Sequence, residues 1–304
     1  MLKSTGSWYE IEEEEDRYRC MARLRGVFKI AGLKVTNPVA VGDWVIFEKE
    51  QSHSGGYEIT EILPRENYFI RKSTHKTGHD HLIATNLDQV LILFTLKMPR
   101  TSLGFLDRAL ITAEAYRIPT IIAFNKIDLF SDEELEELRY YSNVYEKLGY
   151  SCILASSIDK IGIDTMKESL SNKVTLIMGH SGVGKSTLMN TVFPDLDLKT
   201  SEISKFANKG VHTTTFAEMH SLEGDTYVID TPGIKELGIS EIEEEELSHY
   251  FPEMRALLGQ CKFHNCQHTN EPGCAVITAL EEGRIAPFRY DSYLSILSGD
   301  DNRR

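Results

Sequence analysis

Residues 179–186 read Gly179-His180-Ser181-Gly182-Val183-Gly184-Lys185-Ser186, a full G-x-x-x-x-G-K-[ST] pattern. The chemistry of this pattern is phosphate binding. Its glycines let backbone N–H groups turn inward around phosphate oxygens. An apolar strand is expected just before it, at 174–178, and a helix from 185 onward, whose N-terminus adds partial positive charge. The expected cradle is Gly179, His180, Ser181, Gly182, Val183 and Gly184, with Thr187 on the following helix. Lys185 would reach the β- and γ-phosphates, and the Ser186 hydroxyl would bind Mg²⁺. An ordinary Gly-rich strand–helix turn is the plain alternative.

A second constellation could read a base. Asn125-Lys126-Ile127-Asp128 follows an apolar run at 120–124, at the strand end where α/β folds bind ligands. A carboxylate only accepts, so Asp128 suits the paired N–H donors of the guanine edge, which adenine lacks. Asn125 would reinforce the loop and the base edge. Ala155-Ser156-Ser157, after a short strand at 152–154, could offer a backbone N–H to guanine O6. Asp230-Thr231-Pro232-Gly233 follows a strand at 226–229. Its carboxylate would hold Mg²⁺ through water, and the Gly233 N–H would sense the γ-phosphate. Between these lies Lys209-Gly210-Val211-His212-Thr213-Thr214-Thr215, in which Thr214 would be a second Mg²⁺ ligand. A plain Thr-rich strand competes with that reading.

The five cysteines are Cys20, Cys152, Cys261, Cys266 and Cys274. An odd number without a secretory leader points away from a disulfide framework and toward a reducing compartment. Three of them fall within fourteen residues, beside His264 and His268, which suggests a metal site.

The elements that must position these groups follow from patterning. A chain of 304 residues predicts two or three domains. Hydrophobic residues are 41%, enough for a packed core, and the apolar runs are far shorter than the ~18–20 residues that span a bilayer. The first fifteen residues lack an apolar leader region. Short strands are expected at 7–11, 17–24, 43–48, 57–63 and 68–71, punctuated by glycines. Five strands in so short a stretch fit a small barrel, the OB-fold before an SH3-like one. The net charge is −13, yet residues 17–79 carry eleven Lys/Arg against six Asp/Glu, so the barrel is locally basic. Trp44 and Tyr57 are either stacking groups or core residues, with the core preferred. The polar stretch 73–85, holding His75, His79 and His81, reads as a connection. From residue 86 strands alternate with helices, the signature of a covered parallel sheet. One helix, from 132 to 148, opens on the capping pair Ser131 and Glu134. After Pro232 the chain turns helical and acidic, then reaches the cysteine cluster and two more helical stretches.

The order of the motifs is unusual. The base-reading loops precede the phosphate loop, the reverse of an ordinary GTPase, as if one sheet had been closed and cut elsewhere. That order, Gly210-Val211-His212-Thr213-Thr214-Thr215, and the run Cys261-Lys262-Phe263-His264-Asn265-Cys266-Gln267-His268 followed by Glu271-Pro272-Gly273-Cys274 resemble the RsgA family of bacterial ribosome-biogenesis GTPases. The resemblance covers nearly the whole chain. It implies an α/β architecture: a circularly permuted P-loop GTPase domain (86–238) with an N-terminal OB-fold that binds RNA (1–72), a linker (73–85) and a C-terminal helical zinc-binding domain (239–304). It implies a GTP hydrolase stimulated by the small (30S) ribosomal subunit during late maturation. GTP/GDP, Mg²⁺ and one structural Zn²⁺ are the implied cofactors. The implied partners are the small subunit and its 16S rRNA, with no membrane, for a cytoplasmic protein read here as monomeric.

By the same resemblance the zinc ligands are Cys261, Cys266, His268 and Cys274, with His264 the competing histidine. Many GTPases place a water-orienting Gln after Asp230-Thr231-Pro232-Gly233, but Ile234 stands there and cannot hold water. The family suggests His212 as the catalytic residue, beside Lys185 and Thr214. The competing role for His212 is packing or RNA contact. Gly182 occupies the phosphate-loop position where some such enzymes carry a K⁺-recruiting Asn, so no K⁺ dependence is expected. Two further readings are a GTP-dependent RNA-binding switch with little hydrolysis and an ATP-dependent P-loop kinase.

Overall fold

The computed structural model describes residues 1–25, 37–50, 56–71, 81–196, 198, 217–231 and 242–299. Five parallel strands form its centre: β8 (Gln89–Phe94), β9 (Thr120–Phe124), β10 (Ser151–Leu154), β11 (Val174–Met178) and β13 (Tyr227–Asp230). They lie in the order β10-β9-β8-β11-β13. Every residue of β8 and β9 is buried, as strands covered on both faces must be.

Side-chain alternation divides the core in two. Val90, Ile92 and Phe94 pack with Ile122, Phe124, Leu176 and Met178 under α1 (Leu103–Ala115) and α2 (Asp132–Lys147). Leu91, Leu93, Ala123, Ile177 and Val228 pack on the opposite face under α3 (Ile163–Leu170) and α4 (Lys185–Val192). Both helices over the first face start on side-chain caps. The Phe105 N–H donates to Ser102 Oγ at 3.2 Å, and the expected capping box at Ser131 and Glu134 forms in both directions.

The sheet does not stop at β13. An antiparallel strand, β12 (Glu218–Ser221), pairs with it, and β1 (Lys3–Ser4) adds to β12. From there β2 (Tyr9–Glu12), β3 (Arg19–Leu24), β5 (Tyr57–Ile62) and β4 (Val45–Lys49) continue the same ladder, with β3 and β5 parallel. The N-terminal strands expected from sequence are therefore present. They run on from the nucleotide-type sheet, and among the described residues their ladder ends at β4.

Two expectations need correction. His81–Thr85, read as part of a connection, is a strand (β7) paired with β6 (Tyr68–Arg71). Its alternate residues Leu82 and Ala84 are buried, a two-residue period overshadowed by the polar run before it. Residues 72–80, with His75 and His79, lie outside the described residues. Trp44 is 53% exposed, not a core residue, whereas Tyr57 is half-buried with its ring 5.5 Å from that of Phe47. The acidic stretch after residue 240 is helical as expected, a seven-residue 3-10 helix at Glu244–Tyr250. It is followed by α5 (Pro252–Arg255), α6 (Ala275–Glu281) and α7 (Pro287–Leu297), which share a separate core around Phe251, Met254, Val276 and Tyr293. Ile111 of α1 belongs to that core as well.

Candidate nucleotide and metal sites

Because β9, β10, β11 and β13 are parallel, their C-terminal ends lie along one edge. Asn125, Ala155, Gly179 and Asp230 all sit at that edge. Their loops are also in direct contact. Asn125, 2% exposed, donates from Nδ2 to the Val183 carbonyl at 2.9 Å. Lys126 Nζ donates to the Gly182 carbonyl at 2.7 Å and to the Met98 carbonyl. A side chain on Gly184 would collide with Asn125, its Cβ only 2.6 Å from Nδ2. With φ at +98°, this glycine is required twice over, by conformation and by space. The base-reading and phosphate loops, 58 residues apart at the Asn125–Val183 bond, thus form one site.

The phosphate loop leads directly into α4, with Ser186 half-buried and Thr187 exposed in its first turn. Lys185 Nζ donates to the carbonyls of Gly179 and His180 at 2.8 and 3.2 Å. Burial lowers its pKa, opposed by the nearby charge of Asp230. Burial raises the pKa of Asp230, opposed by Lys185. Asp230 Oδ1 is buried without a hydrogen-bond partner among the described residues. An orphaned carboxylate oxygen beside Lys185 fits a hydrated Mg²⁺. The Thr231 hydroxyl donates to the Ile177 carbonyl at 2.9 Å and so pins the end of β13.

At the base end, the Ser156 hydroxyl donates to Asp128 Oδ1 at 2.7 Å and accepts from the Asp159 N–H at 3.0 Å. That leaves Asp128 acceptor capacity for a base. One sequence assignment shifts here. The N–H groups of Ala155 and Ser156 donate to the carbonyls of Phe124 and Ile161, so neither is free for guanine O6. The next residue, Ser157, is the available donor, and its buried hydroxyl has no partner among the described residues. Asn125 gives one amide N–H to the phosphate loop, as expected, and its buried Oδ1 has no partner among the described residues. His212, Thr214 and Gly233 lie outside the described residues.

The four metal candidates come together as one cluster: the ligand atoms of Cys261, Cys266, His268 and Cys274 lie within 4.8 Å of one another. His268 Nδ1 is 3.6 Å from Cys261 Sγ and 3.4 Å from Cys274 Sγ, and the two sulfurs are 4.0 Å apart. A tetrahedral Zn²⁺ sets its ligand atoms about 3.5–3.8 Å apart, so the set fits that ion. Burial pushes the Cys266 thiol up to about 12, a penalty that a bound cation reverses. His264 is exposed and outside the cluster, which leaves His268 as the histidine. The loop is held by Glu271, which accepts the N–H groups of Gln267, Thr269 and Asn270 at 2.8, 2.8 and 3.1 Å.

A family model described as RsgA GTPase matches residues 62–240, and one described as RsgA N-terminal domain matches residues 1–57. The chain belongs to the RsgA GTPase family. A member from Cytophaga hutchinsonii, named small ribosomal subunit biogenesis GTPase RsgA, is 56% identical over 304 residues, 100% of this chain and 99% of that one. An RsgA 2 from Bacteroides thetaiotaomicron is 46% identical over 98% of this chain and 95% of its own. Among solved structures, YjeQ from Thermotoga maritima matches with a TM-score of 0.77 at 34% identity, covering 100% of this chain and 98% of that chain. YloQ, described as a circularly permuted GTPase, matches at 0.71 and 30% identity, covering 100% and 94%. The reversed motif order is therefore the RsgA-family permutation, and membership makes the chain a GTP hydrolase. No helix among the described residues is long and apolar enough to cross a membrane.

Proposed function

We propose that this chain binds the small ribosomal subunit and hydrolyses GTP to GDP and phosphate during late maturation of that subunit, with the subunit stimulating turnover. The observation that carries this reading is end-to-end identity with relatives named for small-subunit biogenesis, in a chain whose base and phosphate loops touch at Asn125–Val183 and Lys126–Gly182. On this reading Asp128 selects guanine, Ser157 donates to its O6, and Lys126 braces the phosphate loop. The backbone from Gly179 to Gly184 and Lys185 bind the phosphates. Ser186, Thr214 and Asp230 would hold Mg²⁺, which offsets phosphate charge as the leaving group departs. His212 orients the attacking water, and the Gly233 N–H senses the γ-phosphate. Cys261, Cys266, His268 and Cys274 hold one structural Zn²⁺, since four protein ligands leave no open position.

The N-terminal strands supply salt-dependent contacts to 16S rRNA, with exposed Trp44 a stacking group. The protein works as a cytoplasmic monomer, divided into residues 1–72, 86–238 and 239–304, with β7 inside the stretch 73–85 between the first two. The test is GTP turnover by the wild type and His212→Ala with small subunits, large subunits and neither. Stimulation of the wild type by small subunits alone, lost in His212→Ala, is expected. Tight GTP binding without any subunit effect would replace the enzyme reading by that of an RNA-binding switch.

A further inference from the structure

Helix α1 carries an unbroken run of contacts from the phosphate loop to the metal loop. In its first turn the Phe105 ring lies against the His180 ring, with centroids 4.1 Å apart. Two residues on, Asp107 is fully buried and pairs with Arg289 of α7, which is also fully buried. Tyr145 of α2 donates to the same Asp107 oxygen at 2.7 Å, and Arg289 holds Glu253 at 2.7 and 3.2 Å. The residues beside Arg289 then reach the metal loop. The Tyr290 hydroxyl donates to the His268 carbonyl at 2.6 Å, and the Tyr293 hydroxyl to the Gln267 carbonyl at 2.7 Å.

We infer that α1 is a strut through which the phosphate loop and the metal loop stiffen one another, with Phe105 a positioning residue at one end and Arg289 at the other. The inference rests on the GTP and zinc assignments above. Failure of those assignments shows itself separately, as no nucleotide bound or no zinc released.

The movable part is the peptide that carries His180. Lys185 donates to its carbonyl, and a phosphate oxygen competes for the same ammonium. Nucleotide binding therefore acts on the residue whose ring rests on Phe105. α1 has little freedom to absorb that action. Leu106, Ala109 and Leu110 are fully buried against the sheet, and Ile111 is fully buried in the C-terminal core. The Asp107–Arg289 joint resists opening because separation would strand two buried charges. Ordering at one end is thus passed to the other, and such coupling is reciprocal.

The test uses the zinc-loaded full chain. Transfer of zinc to the chelator 4-(2-pyridylazo)resorcinol is timed without nucleotide and with saturating GDP. GDP is expected to slow wild-type transfer by at least about fivefold, and zinc-depleted protein to bind GDP more weakly than the zinc-loaded protein does. In His180→Ala, which leaves the core of α1 untouched, the GDP effect on zinc transfer falls to about one at saturating GDP. Phe105→Leu, which keeps an apolar side chain but removes the ring, gives the same result. Equal transfer rates in the wild type, or a full GDP effect retained in His180→Ala, would overturn the strut.

Discussion

Asn125 shows how much one side chain settles. Its amide nitrogen holds the Val183 carbonyl from a position 2% exposed. Asn125→Ala leaves that carbonyl unpaired, at a cost of about 1–3 kcal/mol. The expected result is roughly tenfold weaker binding of GDP and GTP alike, with the preference over ATP unchanged. Isothermal titration with the three nucleotides checks this, and an altered preference for guanine nucleotides over ATP would show that Asn125 acts at the base edge. Glu271 supports a pH prediction. Burial pushes its pKa up, but its backbone N–H donors outweigh that and hold it below the usual 4.5. A depressed carboxylate stabilises the fold at pH above its unfolded value and loses that contribution as pH falls through its folded one. Glu271→Gln cannot gain this, so its zinc is expected to be released at a higher pH than in the wild type. Identical release midpoints would show that the clamp carries no weight. These residues were only partly legible in the sequence. The motif named Asn125 and Asp128, but which N–H of 155–157 is free depends on a bridge between Ser156 and Ile161 that no motif encodes.

Elements were legible where one interaction dominated. The apolar runs 90–94 in β8 and 121–124 in β9 and the Ser131 capping box announce themselves. The short strands β1 and β12 do not, because mostly polar pieces of two and four residues gain their order from neighbours in the sheet. The Asp107–Arg289 pair was equally hidden, its partners lying 182 residues apart. Arg289→Met should destabilise the protein by about 3–5 kcal/mol, since Asp107 and Glu253 stay buried without their cation. Denaturant unfolding measures this, and a loss under 1 kcal/mol would mean that water reaches the pair. Cys274 lies in the apolar core of the C-terminal helices and Cys261 and Cys266 pack against it, so an ion held by them would brace those helices. Chelation of zinc is expected to abolish hydrogen-exchange protection in α5, α6 and α7 while β8 and β9 stay protected. Unchanged protection in those helices would mean that the core folds without an ion.

At the scale of the whole molecule, the permutation leaves the parallel edge intact and changes only where the chain enters and leaves it. The loop that follows β13 now leads into the C-terminal helices, and β12 carries the N-terminal strands on its free side. The sheet can host guanosine nucleotide only if its early and late loops serve a single ligand. The most direct measurement is the affinity of the wild type and Asp128→Asn for GTP, ATP and xanthosine triphosphate. An amide at 128 loses the charge-assisted bonds to guanine but offers a donor to the xanthine 2-oxo group. The wild type should prefer GTP to ATP by at least about a hundredfold, and Asp128→Asn should prefer the xanthine nucleotide, a swing of two charge-assisted hydrogen bonds. Equal wild-type affinity for ATP and GTP would contradict the account at its centre.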